Sequence, residues 1–437
     1  MNNRSPISKL VFVAIFSVCL LVGPLLMYSS YGDAYVGMCL PTGVLSPLSA
    51  PYSPSLASTM GSSNVHRMLI SPYVQSHGIF GWSTAISGNI IAIGAPYENA
   101  SGIYEAGHVY LFNAKTGALI RTLVSPNAQS EGFFGWSVGL SGKLVIVGAF
   151  GETANGYDRA GHAYTFNAFT GSLISTLTSP NAQSQGLFGC SVAISGNIAI
   201  VGAPWETADG FGSAGHAYTF NAITGTLLST LTSPNAQGGG KFGYFVAISG
   251  NIGIVGAPWE TADGYGSAGN AYTFNVTTGD LISTLSSPNA QSSGEFGWSV
   301  AISGNIAVVG AITESASGYS DAGHVYTFNA TTGALMSTLT DPEPRIWGEF
   351  GWSVAIAGDT VVVGAILYLS GYWYAGHVDT FRVTTGAFVE GFTSPHAQFH
   401  GMFGDSVAIS GMTIVIGAPD ENASGVAAAG HVYIRSV

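Results

Sequence analysis

The stretch FGCSVAISGNIAIVGAPWETADGFGSAGHAYTFNAITGTLLSTLTSPNAQ, from Phe188 to Gln237, decides the fold. It breaks into four short strand-like runs separated by turn signals. SVAIS and NIAIV meet across Gly196-Asn197, a two-residue hairpin signal. HAYTFN follows a glycine-rich loop, and LLSTLT follows the turn at Ala222 to Gly225. The first two runs are continuously apolar or small, the pattern of strands buried on both faces, whereas the fourth alternates with Ser and Thr. The first strand is therefore expected innermost and the fourth outermost.

This stretch is one of seven copies. Phe-Gly recurs at Phe80, Phe134, Phe188, Phe242, Phe296, Phe350 and Phe403, spaced by 54 residues and once by 53. Gly-Ala follows 14 residues later, at Gly94, Gly148, Gly202, Gly256, Gly310, Gly364 and Gly417. Four antiparallel strands repeated seven times predict an all-β fold, a seven-bladed β-propeller of four-stranded antiparallel blades. The seventh copy has only three strands, ending in HVYIRS, while the segment HRMLISPYVQSHGIF from His66 matches the fourth-strand pattern. The N-terminal strand His66–Ser71 is thus expected to complete the last blade and close the ring, which also removes the exposed sheet edge.

Composition agrees with this reading. Charged residues make up only 8% of the chain, against about 25% in ordinary soluble domains. Glycine, at 61 of 437 residues, is too dense for a helical bundle. A net charge of −12, from 23 acids and 11 bases, leaves no surface that neutralises phosphates, so nucleic acid is not an expected partner.

At the N-terminus, Arg4 and Lys9 precede the uncharged run Leu10–Met27, and Gly32-Asp33-Ala34 follows. Residues 1–34 read as a signal peptide or as an uncleaved membrane anchor, residues 35–64 as a Ser/Pro-rich linker, and 65–437 as the propeller. Either reading places the protein outside the cell or at its surface, secreted or N-terminally anchored, with membrane contact only through that segment. Export would make the Asn-x-Ser/Thr sequons at Asn99, Asn275, Asn329 and Asn422 candidate glycosylation sites. Three cysteines, Cys19, Cys39 and Cys190, do not staple such a chain, so packing must stabilise it.

Phe-Gly followed by Gly-Ala, with Pro next in four of seven copies, resembles the FG-GAP signature. The repeats resemble those of the N-terminal propeller of integrin α subunits, and more closely those of microbial surface proteins that pair SVAISG with GHVYTFN. The resemblance covers Phe80 to Val437 and implies extracellular ligand recognition or adhesion. One departure matters. Integrin-type repeats carry a calcium loop of the Asp-x-Asp-x-Asp-Gly kind between the first two strands. Here that link is Ser-Gly-Asn, at Ser195, Ser249 and Ser303, too short and too poor in carboxylates to wrap calcium. No metal site is carried over and no cofactor is expected.

Glutamate recurs in the loop after the second strand, at Glu98, Glu152, Glu206, Glu260, Glu314 and Glu421. A ring of carboxylates for cations is one reading, with Asp209 and Asp263 leaving calcium open in two blades. The favoured one is structural, each glutamate accepting hydrogen bonds from its own loop. Histidine follows glycine at His108, His162, His216, His324, His377 and His431, and Trp82, Trp136, Trp298 and Trp352 follow Phe-Gly; both sets repeat with the structure and read as packing. No His-Glu-x-x-His, P-loop or Cys-x-x-Cys occurs, so no catalytic residue is assigned.

A ligand that touches a ring asymmetrically should coincide with departures from the repeat, and these cluster. SPNAQSSGEF becomes DPEPRIWGEF before Phe350, bringing in Asp341, Glu343, Arg345 and Trp347. Blade six replaces its glutamate loop with a segment holding Tyr368, Tyr372, Trp373 and Tyr374; the next link adds His396 and His400, and Asp405 stands where other blades have Trp, Cys or Tyr. All are expected on the face formed by the long loops, where aromatics beside carboxylates and an arginine suit a glycan or peptide. Aromatics also recur in those loops at Tyr157, Phe211, Tyr265 and Tyr319, which would give weak, multivalent rim contacts. The sequence therefore reads as an exported, non-catalytic recognition or adhesion propeller at the cell surface, with an extracellular glycan or protein as ligand. The alternatives are a glycan hydrolase or lyase with its site near Asp405, His400 and Glu343, and a structural surface-coat component.

Overall fold

The computed structural model describes residues 65–366 and 374–436. The N-terminal segment and linker, together with Tyr368, Tyr372 and Trp373, lie outside the described residues. The described chain forms seven four-stranded antiparallel sheets. In blade three the strands are Val192–Ser195, Ile198–Ala203, His216–Asn221 and Leu227–Leu231, paired in that order. The seventh sheet is completed by Val65–Ile70, which pairs antiparallel with His431–Ser436, Ile70 opposite His431. Ring closure by the N-terminal strand is thus observed.

The core lies between blades. One cluster joins Ile146, Ala163 and Leu177 of blade two to Phe188, Val201, Tyr218 and Phe220 of blade three. Phe188 meets Phe220 edge-on, with ring centres 5.9 Å apart. The signature glycines have a steric cause. A Cβ on Gly202 would stand 1.9 Å from the carbonyl oxygen of Gly243, so the Gly-Ala glycine of one blade abuts the Phe-Gly glycine of the next. Gly189 N–H donates to Gly202 O at 3.0 Å within the same junction. The hairpin glycines supply the left-handed turn, as Gly196 does at φ +56°, and Gly196 N–H donates to Ser141 Oγ of the preceding blade at 3.0 Å.

One expectation is corrected. The second strands are buried from their second residue onward, but the first strands are only partly so, because they line an axial channel of about 250 Å³ whose walls include Thr84, Val138, Val192, Val300, Val354 and Val407. A strand facing a channel needs small apolar side chains without being packed on both sides.

Candidate functional site: the long-loop face

The loop after the second strand and the link between blades meet on one face. The Gln237 side chain ties them, its Oε1 accepting from Thr261 N at 3.1 Å and its Nε2 donating to Thr261 O at 3.2 Å. Beneath this face the six loop glutamates are fully buried. Glu206 accepts from Ser179 Oγ, which arrives from the preceding blade, and from Tyr218 Oη, while His216 Nδ1 lies 3.0 Å from its Oε2. The same set recurs around Glu98, Glu152, Glu314 and Glu421, and Asn270 Nδ2 replaces histidine at Glu260, at 3.0 Å. Side chains from two blades hold these glutamates, rather than the loop's own backbone. Burial, and then the neighbouring carboxylate, push the tyrosine hydroxyls well above their usual range.

Where the first strands begin, Trp82, Trp136, Cys190, Tyr244, Trp298, Trp352 and Asp405 occupy one position in successive blades. Neighbouring rings pack at tilted angles from blade to blade: Trp82 against Trp136 at 4.6 Å, Tyr244 against Trp298 at 5.5 Å and Trp298 against Trp352 at 5.0 Å. The mouth of the channel is therefore lined by aromatic rings at five of the seven positions, interrupted by Cys190 and Asp405. Its three sectors differ in chemistry. Ile79, Tyr97, Phe133 and Phe150 make the sector of blades one and two apolar. Next, Lys241 Nζ lies 4.5 Å from the Trp205 ring centre and 4.1 Å from that of Trp259.

The remaining sector is acidic. Burial raises Glu349 to about 8, with the charges of Glu295 and Asp321 adding to it. Glu295 is raised to about 7 by burial, against the opposing effects of Trp259 and Lys241. Burial and Asp420 bring Asp405 to about 8, and burial alone lifts Asp420 to about 6. Sequence reading missed Glu295, Glu349 and Lys241. They share the position before Phe-Gly with Ile79, Phe133, Leu187 and Met402, and comparing that position across all seven copies exposes the run of charges.

The residues singled out by departure from the repeat do not gather in one place. Asp405 belongs to the mouth. Glu343 and Arg345 pair at 3.5 Å on the outer face, beside exposed Trp347, whose N–H donates to Ser320 O at 3.0 Å. Tyr374 stacks on His400 with ring centres 4.5 Å apart, and exposed Phe399 closes against the same imidazole. His396 is exposed and stacks over His431 at 5.5 Å, its Nδ1 3.2 Å from Tyr433 Oη. Asp341 does not reach the face; it is buried in blade six beside His377 and Asp379. The sequon side chains are used locally, Asn275 and Asn329 each accepting two turn amides, Asn99 accepting from Glu105 N and Asn422 from Ala428 N.

Farther out, Tyr157, Phe211, Tyr265 and Tyr319 project from equivalent loop positions with 48, 48, 47 and 43% of their surface exposed. Each is anchored by a backbone bridge to the alanine three residues before it, as in Ala208 with Phe211.

The FG-GAP repeat model matches residues 69–112, 119–166, 172–220, 226–274, 281–328, 336–371 and 389–435. Each match begins in or beside the outer strand of one blade and runs into the next, the frame that ring closure requires. No curated protein matches the chain. A propeller of this type is in general a ligand-binding or adhesion domain. With seven matched repeats forming one closed ring, the chain belongs to the FG-GAP repeat family.

Proposed function

We propose that the protein is an exported, non-catalytic recognition or adhesion propeller at the cell surface, and that its long-loop face binds an extracellular glycan or protein. The observation that carries this reading is the set of exposed rim aromatics, Tyr157, Phe211, Tyr265 and Tyr319. Rigid aromatic rings offer flat apolar surface at low entropic cost. Repetition at equal angular steps suits an extended or multivalent ligand whose contacts are individually weak. The sequons fit the same exported setting. Probing an array of glycans and extracellular proteins with the purified protein tests the reading: it predicts saturable binding that leaves the ligand chemically unchanged, and absence of binding to every class would remove it.

A second reading, a propeller hydrolase or lyase acting on glycans, draws support from the raised carboxyls at the mouth. Glu349 and Asp405, each near 8, stay largely protonated at neutral pH, the state a general acid needs. Turnover of a polysaccharide abolished by Asp405→Asn would favour it over pure recognition.

A further inference from the structure

Blade six rebuilds the buried polar cell that its sisters share. Where they place serine, tyrosine and histidine around a glutamate, with Asn270 for the histidine in blade four, it has Asp341 for the serine, Asp379 for the tyrosine and retains His377. The three are 4, 2 and 1% exposed. The outer strand changes in step: blades one to five set the tyrosine opposite a threonine, as Tyr218 with Thr230, and blade seven sets Tyr433 opposite Met68, but Asp379 faces Gly391. A Cβ there would stand 2.7 Å from Asp379 Oδ1, so the glycine leaves room for the carboxylate.

We propose that Asp341, His377 and Asp379 form a site for a divalent transition-metal ion of the zinc or manganese kind, joining the link after blade five to blade six. His377 Nε2 lies 3.6 Å from Asp341 Oδ2 and 3.3 Å from Asp379 Oδ2. Ligand atoms bound tetrahedrally at about 2.0–2.1 Å stand about 3.3 Å apart, so the spacing already matches. Among the described residues, this is the one group of three such donors with all ligand atoms within 4.8 Å of one another. Asp379 Oδ2 makes no aligned hydrogen bond although it is buried. Asp341 Oδ1 accepts from Glu343 N at 2.7 Å, which orients its other oxygen toward the imidazole. Two buried carboxylates beside one imidazole leave uncompensated negative charge, which a dication neutralises. Imidazole with two carboxylates suits zinc or manganese. Three protein donors leave a coordination position for water or a ligand atom.

The test uses the intact protein, stripped with a chelator and titrated calorimetrically with Zn2+ and separately with Mn2+, followed by X-ray absorption on the loaded form. One ion per chain with a nitrogen and oxygen shell is expected, and Asp379→Asn and His377→Gln should each weaken binding roughly 100-fold or more. Failure of the folded wild-type protein to take up either ion would overturn the proposal. So would uptake that both folded variants retain, since the ion would then sit on surface histidines. Should the variants not fold, the wild-type shell decides: one imidazole with carboxylate oxygens supports the site, and several imidazoles overturn it.

Discussion

Trp352 Nε1 donates a 3.1 Å hydrogen bond to Asp405 Oδ1 across the boundary between blades six and seven. This bond stabilises the carboxylate, yet burial and nearby Asp420 still hold Asp405 near 8. Glu349 is also near 8 and Glu295 near 7. In the unfolded chain such groups titrate near 4. The native state therefore binds more protons between those values, and the stability these groups contribute is complete below about pH 4 and lost as pH rises through 7 to 8. Melting temperature should rise as pH is lowered from 9 to 5. Asp405→Asn with Glu349→Gln should flatten that slope, measured by circular dichroism.

The glutamate cells lock adjacent blades together. Glu206→Ala leaves the Ser179 and Tyr218 hydroxyls and the His216 ring without their shared acceptor in a buried cell. A loss of about 3 kcal/mol is expected, against about 1 kcal/mol for Tyr218→Phe, which removes one donor only. Urea denaturation of both variants checks the ratio.

Two glycines separate steric from conformational demand. Gly202→Ala drives a methyl into the Gly243 carbonyl and should abolish folding or cost more than about 4 kcal/mol. Gly196→Ala meets nothing within 4 Å and should cost only about 1 kcal/mol, for its positive φ. Denaturation midpoints distinguish them.

Blade number, strand order and ring closure were legible because a 54-residue period fixes them and each unit carries its own turn signals. The polar cells were half legible. Glu206 is visible as a repeat, but its partners lie 27 residues before it and 10 and 12 after it, in two blades, so only the assembled ring pairs them. Asp379 was missed although it breaks the repeat as clearly as Asp341, because a carboxylate within a strand reads as surface until its pairing with Gly391 places it inside. The acidic sector was legible only at Asp405, which breaks the repeat: Glu295 and Glu349 are 54 residues apart and come within reach of each other's charge only where adjacent blades meet.

Ring closure has its own consequence. Removing residues 1–70 strips the strand paired with His431–Ser436 and exposes that edge. Exposed edges recruit other strands, so the shortened protein should be oligomeric or aggregated by light scattering where the intact one is not.

On the proposed function, ligand is held by the long-loop rim. Its most direct test compares array binding by the wild-type protein with that of a variant carrying Tyr157, Phe211, Tyr265 and Tyr319 all changed to Ser, and of a control with Met412→Ser, on an exposed hairpin of the opposite face. At least a tenfold loss is expected for the rim variant and none for the control. Equal binding by wild type and rim variant, with both folded, would contradict it.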